Sequence, residues 1–283
     1  MTRRSNREGF TLVELLIAIV VFAIVSASLF SLLTRTQRLS RTQAERATMQ
    51  ANVRAGVALV TSELREVNIN ATQSDIGSMT GTAIQYRGMR GLGFICDHST
   101  TMVRVRRGSW LASYREPIAV RDSILVYVDN NVNLTTDDGW TRREISGVAA
   151  ATCSADGAIA LELTLAAALS PDTVAMIRTG SPIRTYEYME IGALVQGGET
   201  WLGARSMSGG QTFQPVLGPL NTGGVNFQYL NAAGTAGTVL TVKTVVLTLT
   251  GITENIVAAG TAVNAGQRAT EQLVTRIRLR NAP

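Results

Sequence analysis

Chemistry in this chain would have to pass through very few residues. The only histidine, His98, stands in Cys96-Asp97-His98-Ser99. A thiol, a carboxylate and an imidazole this close could ligate a metal. Yet one histidine and two cysteines in the whole chain fall short of the four ligands of a structural zinc site. A Ser-His-Asp hydrolase would need the same histidine, and no G-x-S-x-G elbow accompanies it. No catalytic residue is assigned. The loop Asp129–Asp138 spaces oxygen donors at Asp129, Asn131, Asn133 and Thr135, with Asp137 beyond, as in the first half of a calcium loop. It departs from that pattern at Leu134, where the turn glycine would stand, and at Trp140, in place of the closing glutamate. An ordinary Asn/Asp-rich hairpin loop accounts for the same residues, so no cofactor is called for. Arg104, Arg106 and Arg107 make a small basic strand without the interleaved aromatics of base stacking, and no nucleic-acid partner is expected.

The residue out of place is Glu14. From Leu15 to Leu33 run 19 residues with no charge and no proline, interrupted only by Ser26, Ser28 and Ser31. At about 1.5 Å per residue this stretch matches the roughly 30 Å hydrocarbon core of a bilayer. A secretory signal peptide would have a shorter apolar region ending in a small-residue cleavage site; here Ser26-Ala27-Ser28 is followed by more apolar sequence. A carboxylate at mid-bilayer costs on the order of 2.5–3.5 kcal/mol, less near the interface, and therefore wants a partner or a function. Glu14 lies four residues after Phe10. A cut between Gly9 and Phe10 would bring a new amine within about one helical turn of it. In the first turn it also complements the helix dipole. Arg3, Arg4 and Arg7 before the run put the N-terminus on the cytoplasmic side.

The elements that would carry these residues follow from periodicity. After Leu33 good helix formers continue without a breaker, and Val53, Val57, Val60, Leu64 and Val67 recur on one helical face. Opposite them stand Arg54, Ser62, Glu63 and Glu66. One helix is predicted from about Phe10 to about Asn68, roughly 85–90 Å long, its later stripe packed on a sheet. Beyond Asn70, short alternating runs are punctuated by Gly, Ser, Thr and Asn. They are Ile84–Tyr86, Met102–Val105, Ile124–Val128, Ile159–Leu165, Thr173–Ile177, Ile183–Ile191, Val225–Leu230, Val239–Leu249 and Leu273–Leu279. In the last, Leu273, Thr275, Ile277 and Leu279 alternate with Val274, Arg276, Arg278 and Arg280, a strand with one solvated basic face. The fold class is α+β: a long N-terminal helix whose second half packs on a β-rich domain. No internal repeat and no long linker divides the soluble part. Cys96 and Cys153 both follow the apolar run. Outside the cytoplasm they would form a disulfide, stabilising by roughly 4 kcal/mol on the loop-entropy model; two free buried thiols are the alternative.

Gly9-Phe10-Thr11-Leu12-Val13-Glu14, with its basic leader and apolar sequel, resembles the class III signal of type IV prepilins and type II secretion pseudopilins. The resemblance implies cleavage after Gly9 by a prepilin peptidase and N-methylation of Phe10. It also implies that Glu14 serves in docking subunits into a filament. Gly223–Leu230, a turn containing Gly234, and Val242–Leu249 are similar to the late strand pair of PilW-type and J-type minor subunits. Val274–Asn281 is similar to the terminal strand of PilW-like proteins. One departure is that many major pilins have a kinking proline in the apolar segment, whereas the first proline after it here is Pro117.

The resemblance divides the chain into a leader (1–9), a transmembrane part (10–33) and a periplasmic part (34–69) of one helix, and a globular β-rich domain (70–283). The expected function is that of a minor pilin, a structural subunit that helps to initiate or cap a type IV pilus. Close alternatives are a type II secretion J-type pseudopilin and a competence pseudopilin. A more remote one is an uncleaved, membrane-anchored periplasmic binding protein. The implied partners are the prepilin peptidase/methylase, other minor and major subunits, an inner-membrane assembly platform and the lipid bilayer. Net charge is +5, and loss of the leader's three arginines and one glutamate leaves +3.

Overall fold

Helix α1 runs Leu12–Arg65, 54 residues without a break, or about 80 Å at 1.5 Å per residue. The computed structural model describes residues 11–69, 73–113, 117, 122–131, 133–134, 138–256 and 267–280. These fall into two compact units.

The first unit takes in the chain as far as Met49 together with Thr253–Ala269. From Leu12 to Leu33 the large apolar side chains of α1 lie exposed. Among the described residues α1 is the one helix long and apolar enough to cross a membrane. Farther along, Glu45 accepts bonds from Asn255 Nδ2 (2.6 Å) and Asn255 N (3.4 Å). Thr253 and Ala269 are tied by Thr253 N to Ala269 O (2.9 Å) and Ala269 N to Thr253 Oγ1 (3.0 Å).

The second unit, Gln50–Ile252 with the chain from Thr270 onward, holds the sheet. Its strands are β1 (Ile76–Met79), β2 (Ala83–His98), β3 (Met102–Arg106), β4 (Ala112–Ser113), β5 (Ser123–Val128), β6 (Gly139–Thr152), β7 (Ile159–Leu165), β8 (Pro182–Gln196), β9 (Glu199–Ser206), β10 (Gln214–Leu230), β11 (Thr244–Ile252) and β12 (Thr270–Arg278). A short helix α2 (Pro171–Ala175) precedes β8. All named strand pairs are antiparallel.

Among the described residues two large hydrophobic cores result, beside a small cluster of Cys96, Cys153 and Ala160. One lies under α1: Val53, Val60 and Leu64, with Val67 just past the helix, pack on Ile84, Tyr86, Leu202, Leu247 and Leu249. Gly56 allows the close approach, since a Cβ there would stand 3.0 Å from both Leu217 and Leu249 side chains. A glycine inside a helix costs about 1 kcal/mol in propensity, and here it gives the sheet room.

The second core lies in a lobe that the sequence did not announce. β2 pairs with β3, β3 with β7, β7 with β6, β6 with β5, β5 with β8, and β8 again with β2. The six strands return on themselves, and Ile95, Val105, Ile124, Val126, Leu163 and Ile183 belong to the core they form. β2 and β8 are long enough to serve both cores, with Ile84, Tyr86 and Ile191 in the first and Ile95 and Ile183 in the second.

Two predicted strands differ. Thr173–Ile177 is not a strand: Ser170 caps α2 by accepting from Thr173 N (3.2 Å), and Pro171 starts the helix. The run from Val239 begins its strand only at Thr244, because Thr241 N and Val242 N both bond to Thr238 O (3.0 Å) in a turn.

Candidate functional site

Gly9 and Phe10 lie outside the described residues. Glu14 sits at the third position of α1, and Thr11 caps the helix. Thr11 N and Oγ1 both donate to Glu14 Oε2 (3.0 and 3.1 Å), and Glu14 N donates back to Thr11 Oγ1 (3.3 Å). This reciprocal arrangement is a capping box, and it satisfies donors that a helix start leaves unpaired. The T-x-x-E spacing was present in the sequence and reads in these terms. Oε1 of Glu14 has no partner among the described residues. The capping bonds use atoms of Thr11 and Glu14 alone, so they are compatible with a chain that begins at Phe10. Along the same face Glu14, Ile17, Ala18, Val21, Phe22 and Val25 line a shallow apolar surface.

A second cluster fastens the other end of α1 to the sheet. The stripe reading set Glu63 on the solvent side, but it turns inward. Glu63 Oε2 accepts from Tyr86 OH (2.8 Å) and Arg90 Nη2 (3.0 Å). Arg90 Nε donates to Glu187 Oε2 (2.8 Å), and Glu187 also accepts from Ser206 Oγ. Thus Arg90 of β2 joins α1 to β8, and Glu187 carries the link on to β9. Burial works against the Arg90 charge, but Glu63 and Glu187 outweigh it and hold its pKa above the ordinary value. Burial, reinforced by the Glu63 charge, pushes the Tyr86 hydroxyl well up. Arg90 lies where the β2–β8 register shifts, between Met89 and Gly91. It is the extra residue of a bulge at the junction between the two cores. The clue in the sequence was position: Glu63 is three residues from Val60 and four from Val67, which borders the buried stripe.

A related pair closes the turn after α1. Asp75 is fully buried, accepts from Asn68 N (2.9 Å) and pairs with Arg142 of β6. Burial, only partly offset by Arg142, raises the Asp75 pKa; burial likewise lowers that of Arg142.

Cys96 at the end of β2 and Cys153 after β6 form a disulfide with a Cα–Cα distance of 5.6 Å, and both are buried. Beside it Asp97 accepts from Ser154 N (2.7 Å) and Ser154 Oγ, with Arg104 at 3.6 Å. The Ser154 hydroxyl bond is the main reason that the Asp97 pKa lies below the usual carboxylate range. Ser154 therefore bonds the aspartate directly and is not bonded to His98, whose Nδ1 has no partner among the described residues. Arg104 and Arg106 of the small basic strand are paired, Arg104 with Glu162 (2.8 Å) and Arg106 with Asp156 (2.5 Å).

In the calcium-like loop, the side-chain oxygen of Asn131 is taken by Asn133 N (3.1 Å) in an Asx turn. Asp137 lies outside the described residues. Among the described residues no group of three or more His, Cys, Asp or Glu side chains is arranged to hold a metal.

A family model described as the prokaryotic N-terminal methylation motif matches residues 4–30. The type II secretion system protein J of Vibrio cholerae serotype O1 is 26% identical over 87 residues, 31% of this chain and 39% of that protein. The chain thus matches about two-fifths of that relative's length. No solved structure matches. The chain thus carries a stretch similar to the prokaryotic methylation motif at the head of a helix able to span a membrane, and a β-rich domain follows.

Two outcomes test the clusters. Arg90→Met strands two carboxylates, and the unfolding free energy should fall by about 3–5 kcal/mol. Adding Glu63→Gln and Glu187→Gln should restore part of it; denaturant titration in detergent reads both. For Asp97 the folded pKa lies below the unfolded one. Its stabilisation is present above about pH 4, the ordinary carboxylate value, and is lost as pH falls through the depressed value. Ser154→Ala should therefore move the acid-unfolding midpoint, followed by circular dichroism, to higher pH.

Proposed function

We propose that this chain is a minor subunit of a type IV pilus-type filament, held in the bacterial inner membrane with its β-rich domain in the periplasm. In this reading a prepilin peptidase cuts after Gly9 and methylates Phe10. Glu14 then docks the subunit, and the subunit helps to initiate or cap the filament. The observation that carries the reading is the methylation motif over residues 4–30, with a lone carboxylate at the head of an exposed apolar helix. The capping box deepens it. Thr11 holds the Glu14 carboxylate through Oε2 and leaves Oε1 toward an incoming amine. The α-amine of Phe10 in the same or a neighbouring subunit would supply the charge that a carboxylate near lipid needs.

A second reading, a J-type pseudopilin of a type II secretion system, is favoured by the similarity to the Vibrio cholerae protein J. The two readings differ in what a deletion strain loses. Loss of surface fibres with secretion intact supports the pilus. Loss of secreted enzymes with fibres intact supports the pseudopilus.

Gly9→Val removes the small residue before the cut and should leave the chain at its unprocessed gel mobility. Glu14→Ala should be cleaved normally yet fail to enter filaments, as read by fractionation of sheared fibres from membranes. Normal maturation of Gly9→Val, or normal incorporation of Glu14→Ala, would count against the proposal.

A further inference from the structure

The sheet ends differently on its two sides. At one edge β1 is four residues long and its register breaks between Ile76 and Ser78. At the other, β12 has nine residues and pairs with β11 from Ile252↔Thr270 to Thr244↔Arg278 without a shift. Shortness and bulges are the usual ways to make an edge unattractive to another strand. β1 has both, and β12 has neither, nor a proline. Its outward backbone groups meet no other described strand.

β12 is also held in place at both ends. Gln50 Nε2 donates to Glu271 Oε2 (2.7 Å), Leu279 N to Lys243 O (3.0 Å), and Arg280 pairs with Glu66 at 3.8 Å. A strand ordered before it meets a partner loses less entropy on pairing. What guards the edge is charge of one sign. Arg276 and Arg278 are exposed on the same face, and neither has an ion-pair partner among the described residues. Val274, also exposed, precedes them on that face. A second copy of β12 would set arginine against arginine, which like-charge repulsion across strands disfavours. A strand with carboxylates at alternate positions is attracted for the same reason.

We propose that β12 is a docking edge for an extended segment of a partner protein that carries carboxylates at alternate positions. The segment adds as a further strand along residues 270–278, with its acids toward Arg276 and Arg278 and an apolar side chain on Val274. Main-chain bonds supply the affinity and the arginines select the partner. The chain's role in a filament is not needed for this docking.

The test uses the full chain in detergent micelles and two synthetic strand peptides. One alternates glutamate with threonine and valine; the other has lysine for glutamate. Hydrogen exchange is followed residue by residue. The acidic peptide should slow exchange within 270–278 by about tenfold, the ratio that about 1.4 kcal/mol of binding produces, and the lysine peptide should not. The double variant Arg276→Glu, Arg278→Glu changes only exposed side chains and should reverse that preference. No protection of 270–278 by the acidic peptide would overturn the proposal, as would equal protection of the native and double-variant chains. Protection by phosphatidylglycerol vesicles but not by the acidic peptide would overturn it in favour of a lipid-facing basic edge.

Discussion

One helix has to satisfy two unlike surroundings, and that requirement governs the design. Between Leu12 and Leu33 α1 shows apolar side chains on every side, which in water would be a liability and in lipid is the natural surface. Between Val53 and Leu64 it buries a single stripe against a sheet. A continuous backbone suits both, because a helix keeps its hydrogen bonds within itself in either setting. The difference is carried by side chains alone. Glu14 at the head and Glu63 near the tail are the carboxylates that each surrounding must neutralise, and the chain treats them differently. Glu63 meets Arg90 within the molecule. Among the described residues, Glu14 is held by its own capping residue alone.

The Arg90 cluster and the Asp75–Arg142 pair sit where the helix-backed sheet passes into the closed lobe. β2 supplies both halves, and the bulge at Arg90 is the point of change. Apolar packing alone is non-directional and would leave the junction poorly specified. Charges that lose heavily if unpaired define it more sharply, since any other arrangement strands Glu63, Glu187 or Asp75. The disulfide acts at the far side of the same lobe, joining the end of β2 to the turn after β6. Together these links tie the lobe to the sheet by one covalent bond and several buried ion pairs.

How far the sequence spoke depended on whether a feature is local. The methylation motif, the span and the stripe are written in consecutive or periodic residues, and α1 runs close to its predicted bounds. The α+β class followed from helix first and strands after. The terminal strand, with Ile277 buried and Arg276 and Arg278 exposed, follows its alternation. The closed lobe was not legible, because closure depends on β2 exchanging partners along its length, and no short window records that. β6 was missed because Gly147-Val148-Ala149-Ala150-Ala151 has small side chains and little alternation; its place comes from β5 and β7 on either side. α2 was misread from its alternating apolar residues, although Ser170-Pro171 already carried a helix-start signal. Glu63 was misplaced because a helical wheel sorts faces without knowing that an arginine waits on the sheet.

On the proposed reading, processing leaves a mature chain that starts at Phe10, with Glu14 in the first turn of its apolar helix. Intact-mass and N-terminal peptide mass spectrometry of the protein from native membranes tests it directly. The expected species is a chain starting at Phe10 and bearing an N-methyl group. A chain that retains Met1 and its arginine leader in membranes with an active prepilin peptidase would contradict it.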